Sequence, residues 1–225
     1  MLLYALIPVV ASLAGALFTL TKPPGPKLTS AIQHMAAGIV FAAAAGELLP
    51  DAVRRGTIWP VLAGAAAGVL AMLFTRALES KSSGPVGLIG ASAVDALIDG
   101  MVLGLGFAAG QRQGLLLAVA LAFEFLLLSV SIASAFDRKA CRSLIVGATL
   151  GVSLMVPIGS LVAGPISRAP AFLQTAAYAF GLIALLYLAV EELMVEAHEV
   201  DDTLWITALF FVGFIGLTIL NQALG

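Results

Sequence analysis

The chain has 225 residues, of which 61% are hydrophobic and only 11% charged, with a net charge of −2 at neutral pH. A soluble domain carries about 25% charged residues, so there is too little polar surface here to cover a soluble core, and the composition reads as an integral membrane protein. The slightly negative balance offers no basic face for nucleic acid, and a single cysteine, Cys141, allows no internal disulfide and reads as a bystander in a polar loop.

Crossing a bilayer takes about 20 apolar residues. Eight segments meet that length, at 2–21, 30–52, 58–78, 85–109, 114–136, 142–165, 169–197 and 203–223, numbered 1 to 8 here. The first, MLLYALIPVVASLAGALFTL, has the apolar character of a signal peptide but no basic n-region, and its length reads as a first membrane helix. The breaks, such as TKPPGPKLTS, DAVRRGT, ESKSSGP, GQRQG and DRKACRS, are too short to hold a further domain. Residues 1–225 therefore read as one all-α transmembrane domain.

Basic residues stay on the cytoplasmic side. The loops after segments 1, 3 and 5 hold Lys22, Lys27, Arg76, Lys81, Arg138, Lys139 and Arg142, whereas Arg54, Arg55, Arg112 and Arg168 lie on the opposite side. This bias places both termini outside. The loop after segment 7 is acidic, with Glu199, Asp201 and Asp202, and carries no weight in this count.

Gly64 and Gly68, and Gly100 and Gly104, have the small-xxx-small spacing that lets membrane helices approach closely. It serves packing within one bundle or the pairing of two copies as a homodimer, and the first is the simpler reading. Segment 2 ends GELLPDAV (46–53) and segment 7 ends EELMVEAH (191–198). The two run in opposite directions, and such an echo is the mark of an inverted repeat, a common transporter design.

An ionised carboxylate at mid-bilayer costs about 2.5–3.5 kcal/mol on insertion scales, so each one marks a site by default. Asp95 and Asp99 lie mid-way along segment 4 at i, i+4, on one face. Two anions that close need a proton or a cation between them, and no Lys or Arg lies in the interiors of segments 4 to 6. A cation or proton site is the reading; a protonated, hydrogen-bonded structural pair is the alternative. Glu124 is the one charge inside segment 5 and reaches the same level if the two segments pack antiparallel. Ser129, Ser131 and Ser134 add hydroxyls, for which ordinary helix–helix hydrogen bonding is the simpler account. Glu191 and Glu192 sit in segment 7, followed by Glu196, His198 and Glu199 toward the cytoplasmic boundary, where a solvated helix end also explains them. Glu47 suits an inlet funnel for cations; Asp51 reads as a surface charge and His34 as interfacial. No Walker A loop appears, so ATP does not drive this chain alone. No Ser–His pair or HExxH is present, and an intramembrane aspartyl protease would need its aspartates on different helices. The chain does not read as an enzyme.

These stretches resemble the ZIP (Zrt/Irt-like protein) family of divalent metal transporters, in its short prokaryotic form, over nearly the whole chain. The family's H-N-x-P-E-G of the fourth helix is matched by DALIDG (Asp95 to Gly100), and its H-x-x-P-E-G of the fifth by EFLLLS (Glu124 to Ser129). ELLPDA (Glu47 to Ala52) stands for H-L-L-P-E-A, VPIG (Val156 to Gly159) for E-P-x-G, and YLAVEELMVEAH (Tyr187 to His198) for the seventh-helix pattern.

The resemblance implies a ZIP-like eight-helix bundle in a prokaryotic cell membrane, moving a divalent metal ion of the Zn, Mn, Fe or Cd class as substrate, with no organic cofactor. Carried over by position, the primary metal site falls on Asp95, Asp99, Glu124 and Leu128, of which the first three are capable of binding a cation and Leu128 is not. The family's second site falls on Ala96, Phe125 and Val156, all apolar, so a mononuclear centre is implied. Glu47, Glu191, Glu192, Glu196 and His198 become pathway or secondary metal positions. Oxygen-only donor sets suit harder ions than zinc, which favours nitrogen and sulfur. Ile98 and Leu127 replace the motif prolines, so helices 4 and 5 should kink less and free fewer carbonyls. Two other readings stand beside this one: a proton-coupled transporter of another small solute, and a non-transporting ZIP-like sensor or partner subunit.

Overall fold

The computed structural model describes residues 1–54, 57–81, 84–136, 141–201 and 203–224, with the backbone alone for residues 79–81 and 167. Arg55, Arg138, Lys139 and Asp202, which enter the orientation argument, lie outside the described residues, as does the side chain of Lys81. Among the described residues the regular structure is helical throughout, and eight helices are long and apolar enough to cross a membrane. The chain is a multi-pass membrane protein.

The helices are α1 (Leu2–Thr21), α2 (Pro26–Arg54), α3 (Ile58–Lys81), α4 (Pro85–Ala109), α5 (Gln111–Ala135), α6 (Arg142–Ile166), α7 (Ala171–Ala197) and α8 (Leu204–Ala223). α2 begins four residues ahead of the predicted segment because Gly25 caps it and Pro26 fills its first turn, where a missing N–H costs nothing. α5 begins three residues early, leaving Gly110 as the one non-helical residue between α4 and α5. Short connections force successive spans to alternate in direction. Both termini and the turn at Gly110 thus share one face, here the terminal face; the ends of α1, α3, α5 and α7 reach the opposite face. Trp59 opens α3 on the terminal face and Trp205 opens α8 on the opposite one, both exposed, as in the aromatic belts of membrane proteins.

The closest packing joins α1 to α5, α2 to α8, α3 to α7 and α4 to α6. Small residues make these contacts. A Cβ on Gly38 would fall on the Phe210 carbonyl oxygen, and one on Gly213 on that of Met35, so α2 and α8 touch backbone to backbone. Gly64 and Gly68 face Ala176, Phe180 and Ile183 of α7; Gly100 and Gly104 face Val156, Ser160 and Ala163 of α6. All four of the small-xxx-small glycines are used inside the chain.

Three helices depart from α geometry. α6 is interrupted at Leu154, three residues before Pro157, whose absent N–H cannot bond the Ser153 carbonyl. α2 passes through a π-turn at Ala44–Leu48, just before Pro50, whose ring displaces the carbonyl of Gly46. α7 passes through a π-turn at Leu188–Leu193 with no proline near it. The two π-turns reach into the first three positions of the aligned stretches of segments 2 and 7, with Glu47 opposite Glu192 in that alignment. Single π-turns are a frequent mark of functional sites.

Candidate metal centre

The tight α4–α5 turn fixes the register of the acidic residues. At 1.5 Å per residue, Asp95 lies about 22 Å, Asp99 about 16 Å and Glu124 about 21 Å along the helix from Gly110. Antiparallel neighbours therefore bring all three to one depth near mid-span. The structure bears this out: one carboxylate oxygen of each residue lies within 4.8 Å of the others. Asp99 and Glu124 are each 3% exposed, and Asp95 is half-buried. Asp99 Oδ2 and Glu124 Oε2 are fully buried with no hydrogen-bond partner. A buried polar group without a partner carries its full desolvation penalty. Three carboxylates this close need a cation or protons among them, and two oxygens stand ready to accept one.

Leu128 lines the same space but offers no ligand, and Ala96, Phe125 and Val156 are buried and apolar. α4 and α5 run unbroken through Ile98 and Leu127, so their carbonyls stay within the helices. The donors gathered here are carboxylate oxygens alone. Ser129 donates to the Leu126 carbonyl of its own helix at 2.7 Å, Ser134 is exposed, and only Ser131 of the three serines reaches the cavity beside the cluster.

That cavity, of about 240 Å³, lies between α3, α4, α5 and α7 and runs from Asp95 and Glu124 to the opposite face. Glu191, Glu192 and Glu196 line it, together with Thr75, Ser92, Tyr187 and the guanidinium of Arg76. Arg76 Nη1 lies 3.4 Å from Glu191 Oε2 and donates to the Tyr187 hydroxyl at 3.4 Å. Arg76 enters the sequence argument only as a loop charge. Its place in the cleft follows from α3 packing along α7, which no local pattern announces.

The remaining predicted positions lie elsewhere. Glu47 is buried on the terminal-face side of α2, where its Oε1 accepts from Asn221 Nδ2 of α8 at 2.8 Å. Asn221 Oδ1 in turn accepts from Arg112 of α5, through Nε at 2.6 Å and through Nη2. His198 stands outside the cleft lining, its ring 5.1 Å from that of His34. His34 is fully buried rather than interfacial, with Nδ1 against the Ser30 carbonyl at 2.9 Å. Glu196 accepts from Gln33 Nε2 at 2.7 Å, and Ser30 donates to the Ala197 carbonyl at 2.9 Å, so the start of α2 and the end of α7 are tied together.

No protein-family model matches the chain, and no curated protein matches it.

Proposed function

We propose that this chain is a ZIP-like transporter carrying one divalent metal cation at a time across a prokaryotic cell membrane, with both termini outside. The observation that carries the reading is the mid-span cluster of Asp95, Asp99 and Glu124, with two buried carboxylate oxygens that lack partners. A charge buried at that depth is costly, and a transported cation offsets the cost. The cleft beside the cluster supplies a route to one face, lined by Glu191, Glu192 and Glu196.

Three features agree with the ZIP resemblance. The cluster falls on the positions of the family's primary-site motif in helices 4 and 5. The second-site positions Ala96, Phe125 and Val156 offer no ligand, which suits a mononuclear centre. The π-turns of α2 and α7, on helices of opposite direction, suit an inverted repeat around a central α4–α5 hairpin. Alternating access would then come from one group of helices rocking against another about the carboxylate site.

The chemistry of the donor set narrows the cargo. With no imidazole or thiolate at the cluster, the site suits harder divalent ions such as manganese better than zinc. In proteoliposomes, manganese flux should be driven by the wild-type chain and lost in Asp95→Ala and Glu124→Ala. Unchanged flux in both variants would remove these residues from the site. A wild-type chain that takes up protons and binds no metal by calorimetry would favour a proton-coupled transporter of another solute.

A further inference from the structure

The two faces of the molecule are built differently. Toward the opposite face the carboxylate cluster opens into the cleft. Toward the terminal face the way is closed twice. Val102, one turn beyond Asp99, is fully buried, and both it and Leu48 pack around Gly181, where a Cβ would meet them at 3.1 and 3.5 Å. Tyr178 adds a hydrogen bond from its hydroxyl to the Leu105 carbonyl at 3.3 Å. Nearer the terminal face Arg112 meets Asn221, and Asn221 reaches back to Glu47, the residue before Leu48.

The helices that carry these contacts decide which of them can part. Glu47 and Asn221 belong to α2 and α8, which are packed backbone to backbone at Gly38 and Gly213 and so move together. Arg112 belongs to α5, which carries Glu124. Opening the terminal face means drawing α4 and α5 away from α2, α7 and α8. The Glu47–Asn221 bond survives that motion; the Arg112–Asn221 bonds and the close approach of Val102 to Gly181 do not.

We propose that Arg112 and Asn221 form a latch that holds the terminal face shut, and that its release presents Glu47 Oε1 and Asn221 Oδ1 to an arriving cation. The guanidinium stands in for that cation while the face is closed. Arg112 and Asn221 are positioning residues, acting on the balance between two conformations rather than on the cargo at the central site. The inference rests on the transport reading for its purpose, but the latch itself is testable without any metal.

The test uses the full-length chain in native membranes, with Cys141→Ser to remove the one natural thiol. Two single-cysteine reporters, Val102→Cys within the seal and Ser92→Cys in the cleft, are labelled with a membrane-impermeant maleimide from each side. Arg112→Gln and Asn221→Ala should raise terminal-face labelling of Val102→Cys by about fivefold or more, a typical size for a coupling between two states. They should lower opposite-face labelling of Ser92→Cys at the same time. Unchanged labelling of Val102→Cys in both variants overturns the latch. A rise at both reporters together also overturns it, because that is general loosening rather than a shift between conformations. If Val102→Cys does not fold, Leu105→Cys takes its place with the same expected outcomes. Loss of manganese flux in the wild type would count against the transport reading and leave these labelling results standing.

Discussion

Asp99 on α4 and Glu124 on α5 meet in one cluster, each with a carboxylate oxygen buried and unpartnered. On the transport reading, such a pair is a liability to the empty protein and an asset to the loaded one. In metal-free detergent solution, Asp99→Asn and Glu124→Gln should therefore unfold later than wild type, by about 1–3 kcal/mol. The same variants should lose the stabilisation that manganese gives the wild type, about 2.7 kcal/mol at a hundredfold excess over its dissociation constant. Thermal unfolding with and without chelator reads both effects. Variants less stable than wild type without metal would show that the carboxylates are already compensated.

The glycines separate into two groups with opposite expected effects. Gly100→Ala would push a methyl group into the Val156 carbonyl and force α4 from α6, next to the cluster. Overpacking of this kind costs about 1–3 kcal/mol. Gly151→Ala on α6 meets open space and should be neutral or stabilising by up to about 1 kcal/mol through helix propensity. The denaturation midpoint should fall in Gly100→Ala and hold or rise in Gly151→Ala; equal losses would deny the close α4–α6 approach.

Among the described residues, Arg76 is the one cation lining the cleft, which Asp95, Glu124, Glu191, Glu192 and Glu196 also line. Its pairing with Glu191 is exposed, so Arg76→Gln should leave the unfolding midpoint close to that of wild type. Its charge matters more to arriving ions. We expect the variant to bind manganese several-fold more tightly from the opposite face at low salt, with the difference shrinking as ionic strength rises toward about 1 M. Calorimetry at two salt concentrations decides; an affinity that falls in Arg76→Gln would mean that the guanidinium organises the acids rather than opposing the cation.

Cys141 lies outside the spans, exposed, with its sulfur 3.0 Å from the Ser143 hydroxyl. That hydrogen bond, with backbone N–H groups of Ser143 and Leu144, holds the thiol below its ordinary range. A lowered value means more thiolate near neutral pH, and the thiolate is the nucleophile. Alkylation of Cys141 should thus be faster at pH 7 than that of an ordinary exposed cysteine, and Ser143→Ala should slow it. The difference should vanish well above the ordinary thiol range, where both are ionised. Because Cys141 opens α6 on the opposite face, the side from which an impermeant reagent reaches it also tests the orientation.

Much of the architecture is legible in the sequence because the bilayer imposes a length. The eight predicted segments coincide with the eight helices: turn chemistry extends two of them at their starts, at Pro26 and Gln111, and the other bounds differ by at most three residues. The three-acid cluster was also legible, since Asp95, Asp99 and Glu124 are charges in apolar surroundings and a tight hairpin sets their depth. The latch and the cleft were not. Arg112 and Arg76 look like ordinary loop cations, and Asn221 is a lone amide near the end of an apolar helix. Their partners are 109 to 174 residues away in sequence, and only the packing of α8 on α2 and of α3 on α7 brings them together. Glu47 carries the same lesson: the sequence marks it as an acid suited to an inlet funnel but does not say that it is buried and held by an asparagine.

The π-turns have a geometric consequence. Each fits one extra residue into a turn without breaking the rod, and an α-helix rotates about 100° per residue. The stretch after Leu48 and the stretch after Leu193 are therefore each swung by roughly a quarter turn relative to a regular helix. Deleting one residue from either π-turn would leave a helix as apolar and nearly as long, yet would aim its far end at different neighbours. The directions in which these two rods present their acids are stored in the backbone as a one-residue surplus, a quantity that composition and hydropathy do not register.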